Sequence, residues 1–140
     1  EEAVGGWARD RGPIDAIVFD AGPGFGAGGL SGLTVAMEQA WAAVREVAVG
    51  GLIPAEQPGK IVLVGPRPDA GPAAEAVRAG LESLARTLAV EWARYELTAV
   101  MIAPGSATGQ EAVAELICFL CSPGGAYLSG CRLELGAVAR

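Results

Sequence analysis

Short apolar segments alternate with longer segments of helical periodicity along the chain. Strands are predicted where apolar residues run between turn-forming residues, at residues 14–19, 61–64, 97–102 and 130–135. Helices are predicted where apolar residues recur every three or four positions, at residues 33–49, 73–95 and 110–120. Helical crossovers between short buried strands require a parallel sheet with helices on its faces, so the sequence predicts an α/β fold.

Three loops rich in glycine or proline follow the first three predicted strands, at residues 22–32, 65–72 and 104–109. The carboxyl ends of parallel strands share one edge of a sheet, so these loops should meet at a crevice of the kind that binds ligands in α/β proteins. Within the first loop, residues 24–29 satisfy the dinucleotide-binding pattern G-x-G-x-x-G. The next predicted helix begins too late for that pattern, and a loop without a bound phosphate is the favoured interpretation.

Charge and hydropathy narrow the classes of partner. The formal net charge is −6, and the arginines are scattered along the chain. Both features argue against nucleic acid as a partner, because a protein that binds nucleic acid needs clustered cationic side chains. No apolar run reaches the ~18 residues that a membrane-spanning helix needs, and no signal-peptide pattern is visible. We therefore expect a cytoplasmic protein that binds neither nucleic acid nor membrane.

Three cysteines give an odd count, and two of them, Cys118 and Cys121, form a C-x-x-C pair. That spacing occurs in redox pairs and in half of a zinc site. The pair falls in an apolar helical segment, and the chain has no histidine to complete a metal site. We expect buried thiols, Cys131 included, that act as small apolar side chains, and no bound metal.

Several segments together resemble the short-chain dehydrogenase/reductase family, and most closely its ketoacyl carrier-protein reductases. Residues 80–95 (GLESLARTLAVEWARY) followed by 97–105 (LTAVMIAPG) resemble the fifth helix and sixth strand of the family. The other matching segments are residues 14–22 (IDAIVFDAG), 59–64 (GKIVLV) and 111–130 (EAVAELICFLCSPGGAYLSG). The resemblance implies one Rossmann-like three-layer domain over residues 1–140, corresponding to the carboxyl-terminal half of the family fold without its amino-terminal βαβ portion.

The same resemblance implies that the family's active-site residues are absent. Aligning residues 78–81 (RAGL) with the family's KAGL places Arg78 at the catalytic lysine and Ala74 at the catalytic tyrosine. Gly65 stands where the substrate-orienting serine belongs, and the chain contains no asparagine for the fourth role. Arginine is a poor substitute for lysine, being a permanently charged planar fork. No catalytic residue and no cofactor are therefore expected; NAD(P) is expected only if the family activity is retained.

Two further features bear on substrate and cofactor. In the family a helical lid follows the proline–glycine turn, whereas here Pro104 and Gly105 are separated from the last predicted helix by four residues. Any cofactor would contact the rim of the crevice, for which the candidate residues are Ala21, Gly22, Gly24, Gly26, Pro104 and Gly105.

The pattern is similar to the degenerate amino-terminal domain of two-domain, high-molecular-weight ketoacyl reductases, on residues 18–21 (VFDA) and 126–130 (AYLSG). We expect a non-catalytic domain that pairs with itself or with an active reductase through the helices at 33–49 and 73–95. One alternative is an NAD(P)-dependent oxidoreductase of the ketoacyl reductase type. Another is a module that binds a nucleotide, flavin or acyl ligand in the crevice.

Overall fold

The computed structural model describes residues 6–7, 10–11, 13–23, 25 and 29–136. Within these ranges the strands are β1 (Ala16–Asp20), β2 (Gly59–Val64), β3 (Leu97–Pro104) and β4 (Cys131–Leu135). The helices are α1 (Gly29–Val47), α2 (Ala74–Glu91) and α3 (Gln110–Leu120). The predicted α/β class and the predicted order of elements are confirmed.

The four strands form one parallel sheet whose spatial order follows the chain, β1-β2-β3-β4. Every residue of β2 is buried, as is typical of a parallel strand covered on both faces. β1 lies at one edge of the four described strands, and Val18 in it is 43% exposed. The first predicted strand is therefore an edge strand of the described sheet.

Successive side chains of the central strands point to opposite faces of the sheet and separate two apolar cores. Ile61 and Leu63 pack with α1 and α2, whereas Val62 and Val64 pack with α3. The fold is thus a three-layer sandwich, as predicted. All three strand-to-strand connections step in the same direction across the sheet. Since α3 lies on the opposite face from α1 and α2, the β3–β4 connection has the opposite hand to the first two.

The boundaries of α1 differ from the predicted helix at 33–49. The helix begins at Gly29, so part of the predicted loop at 22–32 is helical despite the weak helix propensity of glycine. At the other end the chain continues as a π-helical turn, Ala48–Leu52, instead of ending at residue 49. A Cβ atom on Gly51 would lie 2.8 Å from Ile14 Cδ1, so the turn depends on a residue without a side chain.

The predicted helix at 73–95 is divided in the structure. α2 ends at Glu91, and a 3-10 turn, Ala93–Tyr95, follows. Glu96 has a φ of 59°, in the left-handed region, and this conformation ends the helical segment before β3.

The apolar face predicted for α1 is only partly buried. Ala40, Val44 and Ala48 are buried, whereas Val35 and Trp41 are exposed at the surface. The sequence identified the apolar positions correctly but not the angle at which the helix meets the sheet. No described helix is both long enough and apolar enough to cross a membrane.

α1 and α2 lie side by side, and Gly80 on α2 faces Met37 on α1. A Cβ atom on Gly80 would lie 2.7 Å from the sulfur of Met37 on α1. The small residue at position 80 therefore sets the spacing between the two helices.

We predict that Gly80→Val lowers the free energy of unfolding by about 1–3 kcal/mol, because the added carbons push against Met37. The matched control is Ala79→Val, one residue earlier on the exposed side of α2, where we expect a change within about 0.5 kcal/mol. Urea unfolding of both variants measures the difference. Equal losses in the two variants would contradict the assigned contact.

Candidate functional site

A cleft of about 630 Å³ opens at the carboxyl ends of the strands, between the sheet and α3. All three predicted loops contribute to it, so the expected crevice is present. Its wall is largely apolar and includes one acidic and one basic side chain. The lining residues are Asp20, Gly22, Pro23, Val64, Gly65, Arg67, Ala70, Pro104, Gln110, Val113, Ala114 and Ile117.

The predicted rim residues that the structure describes differ in whether they line the cleft. Gly22 and Pro104 line the cleft, and the Gly22 N–H donates a hydrogen bond to the Asp20 carboxylate (2.8 Å). Ala21 is buried, and its N–H donates to the Val64 carbonyl (2.9 Å).

Gly105, the remaining described rim residue, donates its N–H to the Leu135 carbonyl (2.9 Å). Gly24, Gly26 and most of the G-x-G-x-x-G pattern lie outside the described residues. The structure thus describes four of the six predicted rim residues, and two of these four line the cleft.

Arg78 lies beneath the cleft and is 3% exposed. Its Nη1 donates to the carbonyl oxygens of Pro66 (2.9 Å) and Pro104 (2.7 Å), which belong to the chain following β2 and to the end of β3. A guanidinium has five donors in a fixed plane, so it can join two such segments at once. We call this contact the Arg78 clamp.

Two carboxylates complete the surroundings of Arg78. Its Nη2 lies 3.3 Å from Glu134 of β4, and its Nε lies 3.0 Å from Glu75 of α2. The Nε–H is not aligned with that oxygen, so this second contact is an ion pair without a hydrogen bond. Arg78 therefore connects α2 to the ends of β2, β3 and β4.

Arg132 on β4 binds the same two carboxylates from the other side. It lies 3.0 Å from Glu75 and 2.5 Å from Glu134. Burial alone would lower the pKa of Arg132, but the hydrogen bonds and the two negative charges together raise it. Arg78 and Arg132 thus share Glu75 and Glu134, so that each of these two carboxylates faces two cations, and Arg132 also lies 3.5 Å from Glu82.

A third arginine, Arg67, extends the contact between the loops. Its Nη1 donates to the carbonyl oxygens of Gly105 (3.1 Å) and Ser106 (2.9 Å). Arg67 was not among the site residues predicted from the sequence. The available signal was its position: it is the cation in the loop that follows β2, at the edge where a ligand would bind.

Two of the positions that the family resemblance implied for catalysis are adjacent in space. A Cβ atom on Gly65 would lie 3.2 Å from Arg78 Cγ and 2.5 Å from Met101 Cε. Ala74, the third position, is fully buried in α2 and presents only a methyl group. A serine side chain at position 65 would therefore have to displace Met101.

A different group of side chains lies at the opposite end of the sheet. A pocket of about 390 Å³ there is lined by Lys60 on β2, Thr98 on β3 and Cys121, among others. Lys60 is 5% exposed, and its ammonium donates to the carbonyl oxygens of Gly125 and Leu128, both at 2.9 Å. Burial lowers the pKa of Lys60, and the thiols of Cys121 and Cys131 act in the opposite direction.

The expectation that the cysteines are buried is wrong for Cys118 and Cys121, which are exposed, and Cys131 is half-buried. α3 packs on the sheet through Val113, Leu116, Ile117 and Leu120, and the two cysteines lie off that face. Within the described parts of the chain, no group of three or more histidine, cysteine or acidic side chains could hold a metal ion.

Solved structures provide the comparison with known proteins. A citronellol catabolism dehydrogenase (AtuB) from Pseudomonas aeruginosa PAO1 superposes with a TM-score of 0.76 at 26% identity, over 96% of this chain and 66% of that one. Acetoin dehydrogenase from Enterobacter cloacae gives a TM-score of 0.79 at 20% identity, over 96% and 67%. An oxidoreductase of the short-chain dehydrogenase/reductase family from Burkholderia thailandensis gives 0.78 at 20%, over 96% and 67%.

The chain has the short-chain dehydrogenase/reductase fold. It spans about two thirds of the length of the solved proteins that it matches. No family model matches the sequence, and no curated protein does. The fold predicted from the resemblance is therefore confirmed by structure.

We predict that Arg78→Met lowers the free energy of unfolding by about 2–4 kcal/mol, because buried carbonyl groups left unpaired cost about 1–3 kcal/mol each. The control is Arg86→Met, which removes an exposed ion pair to Glu82 on the same helix and should change stability by less than about 1 kcal/mol. Denaturant unfolding measures both. Arg78→Met with the stability of the control would contradict the clamp.

Proposed function

We propose that this chain is a catalytically inactive domain of the short-chain dehydrogenase/reductase fold that acts in assembly, through a structural, oligomerisation or partner-subunit role. The observation that supports this most directly is the Arg78 clamp. At the position that the resemblance assigns to the catalytic lysine, the side chain is buried and its Nη1 bonds to carbonyls of the protein itself.

The residues at the strand ends do not fit a nicotinamide cofactor held for hydride transfer. Ala74 offers no phenol to deliver or accept a proton, and Gly65 offers no hydroxyl to orient a carbonyl. Arginine is a poor substitute for the lysine of the family's site, because its guanidinium is a planar fork and not a compact ammonium. The proposed assembly role requires no cofactor.

The exposed apolar side chains of α1 and α2 support an assembly role. Val35 and Trp41 on α1 and Val90 on α2 are exposed, and Val90 is 76% so. We propose that this surface, within residues 33–49 and 73–95, contacts a second copy of the chain or an active reductase subunit. Large exposed apolar side chains are one of the surface features that mark protein contacts.

Separate observations support each of the two alternatives. The solved neighbours are oxidoreductases, which favours an NAD(P)-dependent oxidoreductase activity; the ketoacyl reductase type comes from the sequence resemblance alone. The cleft of about 630 Å³ has the size of a small-molecule site, which favours a nucleotide, flavin or acyl ligand. We place the protein in the cytoplasm, where its three free cysteines would stay reduced.

We predict that the full chain does not oxidise NADPH in the presence of an acetoacetyl thioester, because no side chain at Ala74 or Gly65 can serve the reaction. Absorbance at the wavelength of the reduced nicotinamide measures the rate, with an active short-chain reductase as the positive control. Turnover above the buffer rate would overturn the inactive assignment. A rise in melting temperature with NADPH but without turnover would favour the ligand-binding alternative.

We predict that the full chain is a homodimer by light scattering, or forms a complex with an active reductase, and that Val90→Glu weakens either assembly. A charge at the centre of an apolar contact loses its hydration on association. The matched control is Phe119→Glu, which places the same charge at an exposed apolar position on α3, on the opposite face of the sheet. A wild-type monomer that binds no reductase would contradict the assembly role.

A further inference from the structure

We propose that Cys118 and Cys121 form a binding site for one soft monovalent cation, with Cu(I) as the test ion, and that Lys60 supplies the neighbouring positive charge. The site lies at the carboxyl end of α3, at the opposite end of the sheet from the cleft. It does not depend on the proposed assembly role. It uses the C-x-x-C pair, which the proposed assembly role leaves unexplained.

The helix fixes the separation of the two sulfur-bearing residues. Cys118 is in the last turn of α3, and Cys121 follows the helix with right-handed helical backbone angles (φ −83°, ψ −5°). The Cys121 N–H donates to the Ile117 carbonyl (3.0 Å), so the helical spacing extends to Cys121. Residues three apart on a helix have Cβ atoms about 5–6 Å apart.

That separation distinguishes a bridging ion from a disulfide. A disulfide needs Cβ atoms about 3.5–4.5 Å apart, so closing one here would break the helical end at Cys121. The turn that follows resists this movement, because both the N–H and the hydroxyl of Ser122 donate to the Phe119 carbonyl. One ion with sulfur bonds of roughly 2.3 Å spans the gap with the backbone in place.

The number and kind of ligands select the class of ion. Among the residues that the structure describes, no third histidine, cysteine or carboxylate joins the pair, and two thiolates are insufficient for the tetrahedral shell of structural zinc. Thiolates favour soft ions such as Cu(I), which accepts two ligands in a line. Both cysteines are exposed, so an ion reaches them without unfolding.

The charge on Lys60 completes the site. When the two thiols each release a proton and bind a monovalent cation, the complex has a net charge of −1. Lys60 and Cys121 line the same pocket. Asp15 and Glu96 line it too, but neither forms an ion pair with Lys60 among the described residues. Its ammonium has three N–H groups, and the two backbone carbonyls that it binds carry no net charge.

The experiment is an anaerobic titration of the reduced full chain with Cu(I) in competition with a chromogenic Cu(I) chelator. We expect one ion per chain, with X-ray absorption showing two sulfur neighbours. Cys118→Ser and Cys121→Ser should each weaken binding by about 100-fold or more, since the second thiolate acts as an intramolecular ligand. Cys131→Ser is the matched control, and we expect its affinity to equal that of the wild type.

Lys60→Met tests the neighbouring charge, and we expect about tenfold weaker binding, as when a supporting group near a metal is removed. Circular dichroism verifies that the Lys60→Met variant is folded. The serine substitutions at the exposed Cys118 and Cys121 test the site independently of that variant. Unchanged affinity in either serine variant, or equal loss in Cys131→Ser, overturns the site. Unchanged affinity in Lys60→Met overturns the role of Lys60, and a Cys118–Cys121 disulfide that forms in place of ion binding overturns the proposal.

Discussion

A buried guanidinium must find acceptors, and Arg78 finds them in backbone carbonyls at the ends of the two central strands. Its bonds to Pro66 and Pro104 hold the chain after β2 beside the end of β3, and its ion pairs attach both to α2 and β4. The shape of the cleft depends on this contact, because Gly65 and Pro104 form part of its wall. Burying a charge costs several kcal/mol unless hydrogen bonds compensate it, so the carbonyls and Arg78 position one another.

The same contact explains why a fold shared with oxidoreductases is proposed here without their chemistry. Arg78 is held between main-chain oxygens, and Met101 fills the space next to Gly65. Each group is well packed as part of a protein core. A site for proton transfer would instead need a titratable side chain that is free to exchange its proton with a substrate.

The opposite end of the sheet has a different chemical character. α3 lies alone on its face of the described sheet, and its carboxyl end brings Cys121 next to the buried ammonium of Lys60. Lys60 in turn fixes the turn before β4 through the carbonyls of Gly125 and Leu128. The cleft and the cysteine pair are therefore two separate regions, each organised around one buried cation.

The sequence by itself determined the order of strands and helices, the parallel sheet, the loops at the cleft and the absence of asparagine and histidine. These follow from local periodicity and from composition, which do not depend on distant contacts. The tertiary structure alone decided the partners of Arg78 and Lys60, because those bonds join residues as far apart as 68 positions. It also decided that Cys118 and Cys121 face solvent: α3 is apolar on several sides, and periodicity gives the angles between its residues but not which side meets the sheet.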